Sequence, residues 1–201
     1  MKPILMTSIF CLATFFVLGQ TIEQKAFAQS YIYEKEEQYV KAIQAIEAVL
    51  DDKSYAHNLR LAWLHYLQSN FQKSKTYYQT ATRIMPLSIE ARLGIVYPLS
   101  AMDTWGEVVE IYKEILKIDP QNTVVNYRLG SIFYAQEQYD KAFDYLEKVV
   151  NLYPFDYDGL ILFAWCNLKL SKLKEAKSLF QTVLLLSPED ISAREGLTLI
   201  K

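Results

Sequence analysis

The chain has 201 residues, 51% apolar and 22% charged, with only six Gly and six Pro, so it is neither a disordered polymer nor a collagen-like or Gly/Ser linker protein. Its 21 basic and 23 acidic side chains give a net charge of −2, and nothing in that balance is built to neutralise a phosphate backbone, which argues against a nucleic-acid partner. Fifteen Tyr and ten Phe form a surplus that the rest of the sequence has to account for.

The N-terminus opens Met1-Lys2-Pro3 and then runs without charge from Ile4 to Leu18. A helix takes about 20 residues to cross a bilayer, so this stretch is short for a membrane span and fits a secretory signal peptide over 1–28. Two cleavage sites compete. Ala26-Phe27-Ala28 before Gln29 has the small–x–small form, and Val17-Leu18-Gly19 before Gln20 sits closer to the apolar run. The first is preferred; an uncleaved segment would be the only membrane attachment. Cys11 is a poor lipoprotein site because bulky Phe10 precedes it. After cleavage Cys166 is the one remaining thiol, and its neighbours Phe163, Ala164, Trp165 and Leu168 mark it as a core residue. The mature chain is expected in the periplasm or outside the cell.

Beyond that segment the chain is periodic. Pro86, Pro120, Pro154 and Pro188 lie 34 residues apart, which divides the sequence into units 55–88, 89–122, 123–156 and 157–190 with proline at position 32. The third unit carries Asn126, Leu129, Gly130, Phe133, Tyr139, Ala142, Leu146, Val149 and Pro154 at positions 4, 7, 8, 11, 17, 20, 24, 27 and 32. With this period and these residues, the chain from about residue 31 onward resembles the tetratricopeptide-repeat family. The resemblance implies an all-α fold: a right-handed α-solenoid of helix-turn-helix repeats with a C-terminal capping helix.

In chain order, Tyr39, Ala42, Ile46 and Val49 match positions 17, 20, 24 and 27, so 31–54 reads as an N-terminal half-repeat whose first helix is partial, beginning near Tyr31, or is lost to the signal peptide. Unit 55–88 has the small pair Ala62 and Ser74 at the crossing positions 8 and 20, and its proline should stop the second helix or enter the first turn of the next. Unit 89–122 diverges. Val96 and Val108 replace the small pair and should hold its helices apart, and Pro98 inside the first helix predicts a kink or early break near Tyr97. Units 123–156 and 157–190 restore the small pairs Gly130/Ala142 and Ala164/Ala176. Ser187-Pro188-Glu189-Asp190 then starts a capping helix over 191–201, with Ile191, Leu197 and Ile200 expected inward and Leu199 uncovered.

No motif points to catalysis. There is no phosphate-binding Gly loop and no Cys pair; His57 and His65 are eight apart and expected to pack or solvate, and Glu34, Glu36, Glu37, Asp51 and Asp52 read as solvated faces. The chain is therefore expected to be a non-enzyme without cofactor or metal.

The family resemblance implies that the first helix of each unit lines a concave face through positions 2, 5, 6, 9, 12 and 13. Those positions hold Arg60, Trp63 and Tyr66, then Tyr97, then Tyr127, Arg128 and Tyr134, then Trp165. Aromatic rings and arginines are the residues of protein-binding hot spots. The expected function is an exported scaffold or adaptor that takes a peptide or helix segment of another envelope protein in this groove. Isolated Arg60 and Arg128 do not make up the Lys and Asn set with which family members clamp chaperone tails. Two further readings are a glycan-binding groove and a self-assembling structural role.

Overall fold

The computed structural model describes residues 20–200, which form eleven helices and no strand. They divide into two units, one up to Leu50 and one from Asp51 onward. The first contains α1 (Ile22–Lys35) and α2 (Tyr39–Glu47), packed on each other. The second contains α3 (Tyr55–Leu67), α4 (Phe71–Ile84), α5 (Ile89–Ala101), α6 (Trp105–Ile118), α7 (Thr123–Ala135), α8 (Tyr139–Leu152), α9 (Tyr157–Lys169), α10 (Leu173–Leu186) and α11 (Ile191–Leu199).

Each helix start in the second unit has a local cause. Ser54, Ser88, Asn122, Asp156 and Asp190, 34 residues apart, are the N-caps of α3, α5, α7, α9 and α11. Each side chain accepts from the backbone N–H three residues on, satisfying one donor that the helix cannot. The second helices end at Ile84, Ile118, Leu152 and Leu186, with the next residue extended, as a residue before proline must be. The period-34 prolines thus stop the second helices but lie in the turn between repeats, two residues ahead of the next N-cap.

Within each repeat the two helices meet at a tight turn closed by a six-residue backbone bond, such as Asn70 N–H to His65 C=O at 2.8 Å and Gln138 N–H to Phe133 C=O at 2.9 Å. This closure places one residue in the left-handed region: Ser69, Asp103, Glu137 and Ser171, with φ between 57° and 63°. The same turn occurs at Glu37 in the first unit.

The core lies where the helices cross. Ala62 and Ser74, Ala142, Ala164 and Ala176 are wholly buried, and a Cβ added to Gly130 would meet the Leu146 side chain at 2.6 Å. Small residues there let the paired helices close. Between repeats a second small residue recurs: Gly94 faces Tyr78 and Gly196 faces Phe180, each so close that a Cβ would sit 2.2 Å from the ring. Position 6 of one repeat therefore accommodates the position-24 ring of the repeat before it.

Four expectations are corrected. First, α5 runs unbroken through Pro98 to Ala101, so the break near Tyr97 does not occur. The proline ring opposes the carbonyl of residue i−4, which is Gly94, and only one turn of helix follows. Second, α1 is a full helix beginning at Ile22, not a partial one from Tyr31. Third, Ile191 at the start of α11 is 81% exposed; Ala193 and Gly196 face inward instead, with Leu197 and Ile200 half-buried beside them. The fourth, at Arg60, is taken up with the site. The charge-free N-terminal stretch and the cleavage site after Gly19 lie outside the described residues, whereas the site after Ala28 falls inside α1.

Candidate binding pocket on the inner face

The backbones of neighbouring first helices approach each other closely, α3 with α5, α7 with α9 and α9 with α11, whereas those of neighbouring second helices stay further apart and meet through side chains such as Lys75 of α4 and Glu107 of α6. The first helices consequently form the inner, concave face of the second unit. One pair is different: α5 and α7 do not close on each other in this way, and α6 meets α7 over the sparsest junction between consecutive repeats. Within that repeat, α5 and α6 also pack less closely than the other helix pairs, as the valines at the crossing positions predict.

The separation opens a cavity of about 920 Å³ on the inner face, within the size range of ligand pockets. Tyr66 lines one end; Leu93, Val96, Tyr97, Ser100 and Ala101 of α5 and Val124, Arg128, Ser131, Ile132 and Ala135 of α7 form the sides; Trp105 and Tyr112 of α6 complete it. The lining is mainly apolar, and Arg128 is its one charged side chain.

The aromatic groups are held by one another. Trp63, Tyr66 and Tyr97 form a triad with ring centroids 5.4–5.8 Å apart, and Phe71 adds a fourth ring 5.9 Å from Tyr66. Such tilted and edge contacts are the favoured geometries of quadrupolar rings, and they fix the orientation of half-exposed Tyr97. Trp105 donates its indole N–H to the Asp103 carboxylate, which locks that ring at the rim. Burial pushes the Tyr112 phenol above its ordinary value, with Arg128 pulling the other way, so Tyr112 is a neutral donor at physiological pH. Arg128 is exposed and makes no hydrogen bond or ion pair among the described residues.

The eight groove residues expected from the sequence are placed as follows. Tyr66, Tyr97 and Arg128 line the pocket, and Trp63 supports the first two. Tyr127 lines a smaller adjoining cavity of about 340 Å³, which Arg128 also borders. Tyr134 packs edge-on against Tyr139, centroids 5.4 Å apart. Trp165 stacks edge-on against Phe180 and donates its indole N–H to Ser192 at 2.8 Å, so its polar end is spent tying α9 to α11. Arg60 is the correction: it is 6% exposed, a buried side chain and not part of the open groove surface. It occupies position 6, which Gly94, Arg128 and Gly196 take in later repeats.

Trp105 and Tyr112 belong to the pocket but not to the expected set. They sit on a second helix, and the one sequence signal for their place in the pocket was the Val96/Val108 pair that loosens this repeat. The remaining polar candidates have local roles. His57 Nδ1 accepts from the Asp51 N–H at 2.9 Å, and His65 stacks on Tyr77 with centroids 5.4 Å apart. Cys166 is fully buried, its thiol pushed up to about 11 by burial and directed at the Tyr139 carbonyl. No group of three His, Cys, Asp or Glu able to hold a metal ion occurs among the described residues.

Residues 133–200 match the family model described as Tetratricopeptide repeat. Among solved structures, a tetratricopeptide repeat protein from Parabacteroides merdae superposes with a TM-score of 0.72 at 16% identity, over 87% of this chain and 70% of that one. MamA from Desulfovibrio magneticus superposes at 0.67 with 14% identity, covering 86% of this chain and 98% of that one. YrrB, described as a repeat protein with an unusual peptide-binding site, superposes at 0.66 with 10% identity, over 88% and 92% of the two chains. Human protein O-mannosyl-transferase TMTC1 is 30% identical over 97 residues, which are 48% of this chain and only 11% of that protein.

Proposed function

We propose that these tetratricopeptide repeats act as a protein-interaction scaffold whose working site is the pocket between α5 and α7. The single observation that carries the reading is the gap itself. Every other neighbouring pair of first helices in the second unit approaches closely along its backbone, and the pair that stays apart borders about 920 Å³ of mainly apolar space lined by Tyr97, Trp105 and Tyr112. Rigid rings with one unpaired guanidinium suit a segment that brings apolar side chains and a carboxylate. The solved repeat protein described as having a peptide-binding site supports a peptide ligand. The match to the human transferase spans only 11% of that protein, so its activity is not carried over to this reading. The charge-free stretch Ile4–Leu18 supports export, with the partner an envelope protein.

A photo-crosslinking residue at Tyr97 tests this in cells. The expected result is one dominant envelope-protein adduct, lost when Arg128→Ala and Tyr66→Ala are added. Removing a hot-spot side chain costs about 2 kcal/mol, so each substitution should weaken capture by roughly thirtyfold. Adducts only with copies of the same chain would replace this reading with self-assembly, and capture unchanged by the substitutions would move the site elsewhere.

A further inference from the structure

We infer that the N-terminal segment is removed between Gly19 and Gln20, and not after Ala28; this rests on the export reading above. The position follows from how α1 begins. Its start is encoded by a capping box: the Gln24 N–H donates to the Thr21 hydroxyl at 3.1 Å, and the Thr21 N–H donates to the Gln24 side-chain oxygen at 2.8 Å. The Thr21 carbonyl accepts the first helical bond, from the Lys25 N–H at 3.0 Å. Every group that begins the helix therefore lies at or after Thr21, and a chain starting at Gln20 keeps all of them.

Cleavage after Ala28 would cut the same helix near its middle. Gln29–Lys35 would remain, well below the about 12 residues at which a helix begins to hold by itself. It would also remove Phe27, which is half-buried and whose carbonyl accepts from the fully buried Ser30 hydroxyl at 2.8 Å. The helix α2 has only nine residues, so the first unit depends on an intact α1 to be a helix pair at all. Ala26 and Phe27 of the small–x–small run are half-buried parts of α1, and Ala28 lies on the exposed side of the same helix.

The test is to express the full chain in a bacterial host with a general secretory pathway, fractionate the cells, and measure the intact mass of the exported protein. A mature chain beginning at Gln20 is expected. Gly19→Trp should abolish processing while Ala28→Trp leaves the cleavage position unchanged, since the bulky residue then lies outside the cut site. A mature chain beginning at Gln29, or processing blocked by Ala28→Trp and not by Gly19→Trp, overturns the inference while leaving export intact. A membrane-bound precursor overturns it as well. A precursor confined to the cytoplasm removes the export reading itself.

Discussion

Ser69, Asp103, Glu137 and Ser171 hold the left-handed turn that glycine takes most cheaply, and each carries a Cβ crowded against its own carbonyl. Ser171→Gly and Glu137→Gly should each stabilise the protein by about 1 kcal/mol, read as a higher denaturant midpoint with an unchanged slope. Asp103→Gly should gain less, because the Asp103 carboxylate also holds the Trp105 indole. These turns were illegible for the same reason. The usual turn signal is a glycine, and at this position no repeat has one. Arg60 was illegible differently, since the sequence offers the same residue type at the same repeat position as exposed Arg128, and the two differ only in burial.

At the scale of the helix, the chain read most clearly where prolines recur. The starts of α3, α5, α7, α9 and α11 follow from Ser54, Ser88, Asn122, Asp156 and Asp190, and their spacing matches that of the prolines. The start of α1 did not read, because its apolar residues do not gather on one side and the repeat pattern has no match there. The cap of α11 makes a pH prediction. Hydrogen bonds from the Tyr157 hydroxyl and the Ala193 N–H hold the Asp190 carboxyl below its usual range. A depressed folded-state value means that the stabilisation is complete above the ordinary carboxylate value of about 3.9 and is lost as pH falls through the lower one. Asp190→Asn keeps a capping oxygen without the titration. The midpoint for urea unfolding should accordingly fall less between pH 6 and pH 3 in that variant than in the parent; an equal fall in both would show that Asp190 carries none of the acid sensitivity.

For the whole second unit, a repeat array is held by the sum of its internal packing and its junctions, so its cooperativity is limited by the weakest junction. Here that is the seam between α6 and α7. Hydrogen exchange in rising urea should separate the amides of α3–α6 from those of α7–α11 into two openings of different free energy. One opening shared by both groups would mean that the seam transmits stability as well as the others do.

That seam is also where the pocket lies, with Tyr97 and Tyr112 on one bank and Arg128 and Ile132 on the other. A molecule seated between them is gripped by two blocks that otherwise come apart separately, and its binding energy is lost when either block opens. Occupancy would then act as a rivet. The free protein should melt in two steps and the loaded one in a single later step, by an amount set by ligand concentration over Kd. The sharpness of the melting curve, and not only its midpoint, would become an assay for the missing partner, one that works before the partner's identity is known.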